Sequence, residues 1–183
     1  MTDRDVPGRA APDPPAPAPA DLDAFDRRIL AEVQVDARRS AASIGERIGL
    51  SATAVQRRLQ RLRDAGTIVA EVAVVDPARV GLPLTVVVLV EVERETGADL
   101  DEFRGRMVGA PEVRQCWSVA GETDCVLVVD VPDMRAYEAF ARRALVDAGN
   151  VLRFTSLASM EEIVRGPAVR VAPDATVRPG PPR

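Results

Sequence analysis

The chain has 183 residues, 46% of them hydrophobic and 28% charged, and a net charge of −4. That suffices for one ordinary domain or two small ones and is too apolar for a disordered chain. Two Cys and no His exclude a disulfide framework and a metal-ligand cluster; no leader-like segment or spanning apolar run is present, so a cytoplasmic protein without metal, cofactor or membrane contact is expected.

Charge is unevenly spread. Residues 21–81 carry ten Arg against nine Asp and Glu, residues 82–166 nine against fifteen. The first half is the less acidic one and its Arg residues cluster, which keeps nucleic acid open as a partner despite the negative total.

In chain order, residues 1–20 hold much of the proline without apolar periodicity and are expected to be a disordered Pro/Ala-rich tail; 167–183, rich in Pro and Gly, reads as a second, flexible tail. Leu22, Phe25, Ile29, Leu30 and Val33 lie at helical spacing and predict a helix over about 22–35, with Asp21 and Asp23 as caps. Ser40 caps a second helix marked by Ile44 and Ile48, which Gly49 ends. Leu50 reads as a buried bridge, and Ser51 caps a third helix.

On that third helix Val55, Leu59 and Leu62 face the other helices. Thr53, Gln56, Arg57, Gln60 and Arg61 hold the remaining face, with Arg58 and Arg63 beside it. So many guanidinium groups on one short helix repel each other unless an anion is near. Thr67 to Val75 alternates and predicts one or two short strands, a wing. Two helices joined by a Gly turn, the second Ser-capped and lined with Arg and Gln, form a helix-turn-helix pattern. Arg pairs with guanine and Gln with adenine through two hydrogen bonds each, while Arg38 and Arg63 are placed for phosphate. The candidate DNA contacts are Arg38, Ser40, Ser51, Thr53, Gln56, Arg57, Arg58, Gln60 and Arg61. On pattern alone, a solvated face of an ordinary helical bundle remains the alternative.

Leu84 to Glu93 reads as a strand buried on both faces. Leu100, Phe103 and Met107 mark a helix; Val113, Trp117 and Val119 a second strand; Cys125 to Val131 a third, after a turn at Gly121-Glu122. Tyr137, Phe140, Ala141, Ala144 and Leu145 give a helix that Gly149-Asn150 stops, and Val151 to Val164 holds the last strand, interrupted near 158–160. The order βαββαβ is ferredoxin-like, with both helices on one face of an antiparallel sheet. The other face would be left apolar and would meet a second copy, so a homodimer is expected. Cys116 and Cys125 flank the hairpin on paired strands; two buried thiols serving as small hydrophobes is one reading, a redox pair the other. Trp117 reads as core or interface, with a binding platform as the alternative.

These residues resemble the Lrp/AsnC (feast/famine) transcriptional regulators. The resemblance rests on Leu22-Asp23-x-x-Asp26-x-x-Ile29-Leu30, Arg38-x-Ser40, Gly49-Leu50-Ser51-x-Thr53-x-Val55-x-x-Arg58-Leu59-x-x-Leu62 and Gly66-x-Ile68, then Asp76-Pro77, Val119-x-Gly121-x-x-Asp124, Val131-Pro132-Asp133-Met134-x-x-Tyr137 and Thr155-Ser156. It implies an α+β protein: a winged helix-turn-helix and linker over 21–81, then a ferredoxin-like oligomerisation and effector-binding domain over 82–166. It implies double-stranded DNA as partner, homodimers that assemble further, commonly to octamers, and a small-molecule effector, an amino acid or similar, bound at oligomer interfaces. The effector pocket it implies comprises Gly121, Glu122, Thr123, Asp124, Thr155 and Ser156; for Asp124 a turn-stabilising role is the competing reading. Departures from the family pattern are Ala54 for Pro, Arg63 for Glu, Gly45 for Ala (a substitution expected to weaken its helix by about 1 kcal/mol), Thr123 for an aromatic, Arg165 for Lys, and the run Gly149-Asn150-Val151. The last three put the identity of the ligand in question.

Two other functions compete. A small-molecule-sensing oligomer without specific DNA binding is opposed by the intact Thr53, Gln56, Arg57 and Arg58 face. Some relatives resemble haem-pathway decarboxylases, which depend on His; this chain has none and carries no nucleophile motif or phosphate loop, so no enzyme is expected.

Overall fold

The computed structural model of the chain describes residues 21–94, 96–164, 166, 169 and 171. The tails expected at 1–20 and over most of 167–183, and Arg165, lie outside the described residues. The chain forms two units, one of residues up to Ala73 joined by the end of the chain from Gly166, the other Val74–Arg165.

The helical unit holds α1 (Ala24–Val35), α2 (Ala41–Ile48) and α3 (Ala52–Asp64). Each starts where a short polar side chain satisfies orphan N–H groups. Asp23 accepts from the Asp26 N–H at 2.8 Å while Asp26 accepts from the Asp23 N–H at 3.2 Å, a reciprocal capping box. Ser40 accepts from Ser43 and Ser51 from Ala54, each at 3.2 Å. Ile29, Leu30, Ile44, Ile48, Val55, Leu59 and Leu62 form the core, and Leu50 is half-buried beside them.

The turn between α2 and α3 corrects the reading of Gly45. A Cβ there would stand 2.3 Å from the Leu50 carbonyl oxygen, a backbone atom. That carbonyl lies close because the chain doubles back: the Gly49 and Leu50 N–H groups both donate to the Gly45 carbonyl, at 2.8 and 3.0 Å. Gly45 is therefore a packing requirement, and its loss of helix propensity is secondary.

The wing strands expected over Thr67 to Val75 are not formed; residues 67–76 carry no strand. The alternating pattern needs a ladder partner, and among the described residues of the unit there is none; Val69 is left 91% exposed. The start of the segment is tied down by the Thr67 and Ile68 N–H groups, which donate to the Leu62 carbonyl at 2.9 and 3.1 Å, and by Arg63 donating from Nε and Nη2 to Glu71 at 2.9 and 2.7 Å.

The second unit contains a short 3₁₀ turn (Pro77–Val80), then β1 (Leu84–Val92), α4 (Gly97–Gly109), β2 (Val113–Ser118), β3 (Cys125–Val131), α5 (Met134–Ala141) running into a π-helical turn (Arg142–Val146), and β4 (Val151–Ala158). The strands order β2-β3-β1-β4, all neighbours antiparallel. Phe103, Met107, Tyr137, Phe140, Ala141, Ala144 and Leu145 of the helices pack on Val86, Val88, Val90, Leu127 and Val129 of the sheet.

Burial on both faces was the expectation for β1. Only alternate residues Val86, Val88, Val90 and Val92 are buried, while Thr85, Val87, Leu89 and Glu91 are half-buried. Strand period two sends the second set to the face the helices do not cover. With Val126, Val128, Trp117 and Leu157, aligned by the strand register, they make an apolar outer face. Its polar border includes Asp130, buried, which accepts from the Thr85 hydroxyl at 2.7 Å and forms an ion pair with Arg114 Nε at 2.8 Å. The last strand stops at Ala158, short of Val164, and the second strand at Ser118, short of Val119. The thiols differ: Cys125 is buried, but Cys116 is exposed, against the expectation of two buried ones.

Candidate nucleic-acid interface and effector turn

Helix α3 carries four Arg, Arg57, Arg58, Arg61 and Arg63, and much of that charge is answered internally. Asp26, fully buried on α1, is an ion partner to both Arg58 (Nη1 to Oδ1, 2.8 Å) and Arg61. Arg58 also donates to Asp23 at 2.6 Å and lies over the Phe25 ring, 5.6 Å from its centroid. The Asp23 and Asp26 carboxylates hold the Arg58 guanidinium even more firmly protonated than usual. For Asp23 desolvation is the largest single influence and works the other way, but the Asp26 N–H and Arg58 together hold its carboxyl below the usual carboxylate range. A buried carboxylate is tolerable only when paired, so Asp26 fixes where α3 sits against α1.

This arrangement sorts the expected DNA contacts. Arg58, and with it Arg61, serves α1 first; neither stands free on the reading face. Gln60 donates to Asp64 one turn on, at 2.7 Å. Arg63, expected at phosphate, is engaged by Glu71. Ser40 and Ser51 use their hydroxyls as caps and leave α2 and α3 N-termini dressed but exposed. Arg38 is almost wholly exposed, paired loosely with Asp36 at 3.9 Å. Thr53, Gln56 and Arg57 are exposed, and Arg57 makes no ion pair or hydrogen bond among the described residues. Their spacing of i, i+3, i+4 puts them on one stripe of α3, turned away from Val55, Leu59 and Leu62. Sequence reasoning missed Asp26; its signal was an acid three residues after the Asp23 cap, the spacing of a capping box.

In the second unit the turn between β2 and β3 is pinned to the end of β1. The Asp124 N–H donates to the Val90 carbonyl at 3.0 Å and its carboxylate accepts from the Val92 N–H at 2.8 Å. Asp124 thus anchors the turn, the reading that competed with ligand contact. Gly121 and Glu122 are exposed at the tip and Thr123 is half-buried. Thr155 and Ser156 part company: Thr155 pairs with Leu89 on the outer face, whereas the Ser156 hydroxyl is bonded to the Tyr137 hydroxyl on the helix side. Adjacent strand residues point to opposite faces, so one site on the sheet can hold only one of them. On the outer face beside Thr155, Arg153 is paired with Glu91 at 2.7 Å, and Glu91 keeps its guanidinium more strongly protonated than usual. Among the described residues no His, Cys, Asp or Glu group could hold a metal ion, and no helix is long and apolar enough to cross a membrane.

Comparison with known proteins adds to this geometry. Residues 22–63 match the AsnC-type helix-turn-helix domain and residues 85–169 the Lrp/AsnC ligand binding domain. The chain is 36% identical to an HTH-type transcriptional regulator, y4tD, of Sinorhizobium fredii, over 78% of this chain and 85% of that protein. It is 34% identical to the DNA-binding transcriptional activator DecR of Escherichia coli K12, over 78% of this chain and 93% of that one. The crystal structure of the Neisseria meningitidis transcriptional regulator NMB0573 in complex with L-Met superposes with a TM-score of 0.77 at 30% identity, covering 81% of this chain and 96% of that one.

Proposed function

The chain belongs to the Lrp/AsnC family of DNA-binding transcriptional regulators, which are not enzymes, and from that premise we propose that α3 reads base edges in the major groove through Thr53, Gln56 and Arg57. The observation that carries the reading is the contrast on one helix. Arg58 and Arg61 are consumed by Asp26, while Arg57 stands exposed and unpaired among the described residues beside Gln56. Arg38, with the Ser-capped N-termini of α2 and α3 at Ser40 and Ser51, takes the phosphates. Gln60 extends the reading stripe, and Arg58 and Arg61 support it by holding α3 in place.

Two copies pair through the apolar outer face of the sheet, and dimers assemble further. Pairing sets two recognition helices to read half-sites one helical turn or a multiple apart. An amino-acid effector binds at the turn: Gly121, Glu122 and Thr123 present backbone and side-chain groups, Thr155 lies on the neighbouring outer face, and Asp124 keeps the turn in shape. The complex of the Neisseria relative with L-Met supports this ligand class. Such a regulator acts in the cytoplasm.

Gel shifts on DNA upstream of its own and the neighbouring gene test the reading. Arg57→Ala should lose about 1–3 kcal/mol at a matched site with folding unchanged. Arg38→Ala should weaken all sequences alike and flatten the salt dependence. Unchanged affinity of Arg57→Ala for every fragment would remove α3's assigned reading residues. Free amino acids added one at a time identify the effector; indifference to every one removes the effector and leaves DNA reading intact.

A further inference from the structure

The helical unit is not built from the first part of the chain alone. Among the described residues Val169 and Val171 also belong to it, so the chain leaves this unit after Ala73 and returns to it after the sheet. Two contacts mark the return. The Val169 N–H donates to Gln34 Oε1 on α1 at 2.7 Å. Val171, half-buried, packs against the same core cluster as Ile29, Ile44 and Ile48.

The surface that receives it is a groove between α1 and α2. Arg27, Arg28 and Ala31 of α1 and Arg47 and Ile48 of α2 line it, and Val171 closes it. Ala31 and Ile48 give an apolar floor for the valine methyl groups, and the guanidinium groups form a polar rim. Arg47 is held in position by Glu32, 3.7 Å away, which also binds Arg39. A backbone N–H on a glutamine carbonyl beside an alternate apolar side chain in a slot is how an extended segment is recognised. Val171 lies beyond residue 169, where the match to the Lrp/AsnC ligand binding domain ends.

We propose that the groove between α1 and α2 is a docking surface for Val169 and Val171 of the same chain, so that the DNA-reading unit is completed by residues that follow the sheet. Gln34 is the polar latch for Val169, and Ala31 and Ile48 are the seat of Val171. One hydrogen bond and one valine thus give α1 and α2 a shared neighbour. The inference does not depend on which bases α3 reads.

The test uses the full chain with Cys116→Ser and Cys125→Ser, into which Val171→Cys and Ala31→Cys are placed and joined by a short bismaleimide. The expected result is a cross-link within one chain, identified by peptide mass, forming several-fold faster than for a control pair of Val171→Cys with Asp101→Cys on α4. A cross-link between two chains would assign the groove to a second copy's segment and overturn the proposal, as would a rate no higher than the control. Val171→Asp in the native chain supplies an independent readout. Amide exchange should quicken several-fold over residues 27–34 of α1 and at the end of α2 and stay unchanged in α4; equal exchange in both proteins overturns the proposal.

Discussion

In the helical unit, α3 is held to α1 by a buried carboxylate that takes two guanidinium groups, with an aromatic ring beneath one of them. In the sheet unit, α4 and α5 are held by Phe103, Met107, Phe140 and Leu145 against a layer of valines. The apolar residues of the first unit are few, as a short three-helix unit requires, and ionic geometry supplies what hydrocarbon does not. The difference matters for use. Ion pairs have direction, so they fix the rotation of a helix that must present named side chains to a groove; apolar packing tolerates small slips and suits a layer whose task is to carry a surface.

The sharpest way to break this contrast is to remove its centre. Asp26→Ala should cost the helical unit about 3 kcal/mol, from a broken capping box and two lost charge-assisted contacts, while Arg58 keeps Asp23. Hydrogen exchange should show lost protection in α1 and α3 with α4 and α5 intact; loss in both units together would mean that the two are not independent. The matching change in the other unit, Phe103→Ala, should cost about 3–5 kcal/mol through a cavity, with the protection pattern reversed. Gly45→Ala comes next, at about 1–3 kcal/mol in denaturant melts, because the Cβ must push back the Leu50 carbonyl. A stabilised Gly45→Ala protein would show that helix propensity outweighs that contact. The smallest effect is a pH dependence confined to the sheet unit. Burial pushes the Cys125 thiol from 9.0 up to about 11. Its folded pKa is raised, so its contribution is fully present below about pH 9 and is lost as pH rises towards 11. Melting curves of the native protein should therefore fall off more steeply over that range than those of Cys125→Ala; parallel curves would show that the thiol is not shielded.

Much of this was legible in the chain. The three helices, their Ser caps and the Gly49 stop follow from local chemistry, and the sheet helices show their faces in Phe103, Met107, Tyr137 and Phe140. What escaped reading depends on partners distant in sequence. Asp26 reads as one more acid in a first turn until Arg58 and Arg61 arrive beside it. Gly45 reads as a poor helix former until the Leu50 carbonyl is set against it. Thr67 to Val75 has the alternation of a strand, but alternation cannot supply a ladder partner. Thr155 and Ser156 adjoin in sequence and face apart in space. The turn residue Asp124 can be read two ways because a carboxylate serves an ammonium group or a backbone N–H equally well, and its bond to the Val92 N–H depends on a strand distant in sequence.

Trp117 gives the outer face of the sheet a further property. It is the chain's single tryptophan, and it stands 46% exposed on that face, across from Val126. Indole emission depends on how wet the ring is, so the protein carries its own optical probe at the surface assigned to self-association. Emission moving to longer wavelength on dilution would follow the separation of two copies in real time, without a label and without DNA.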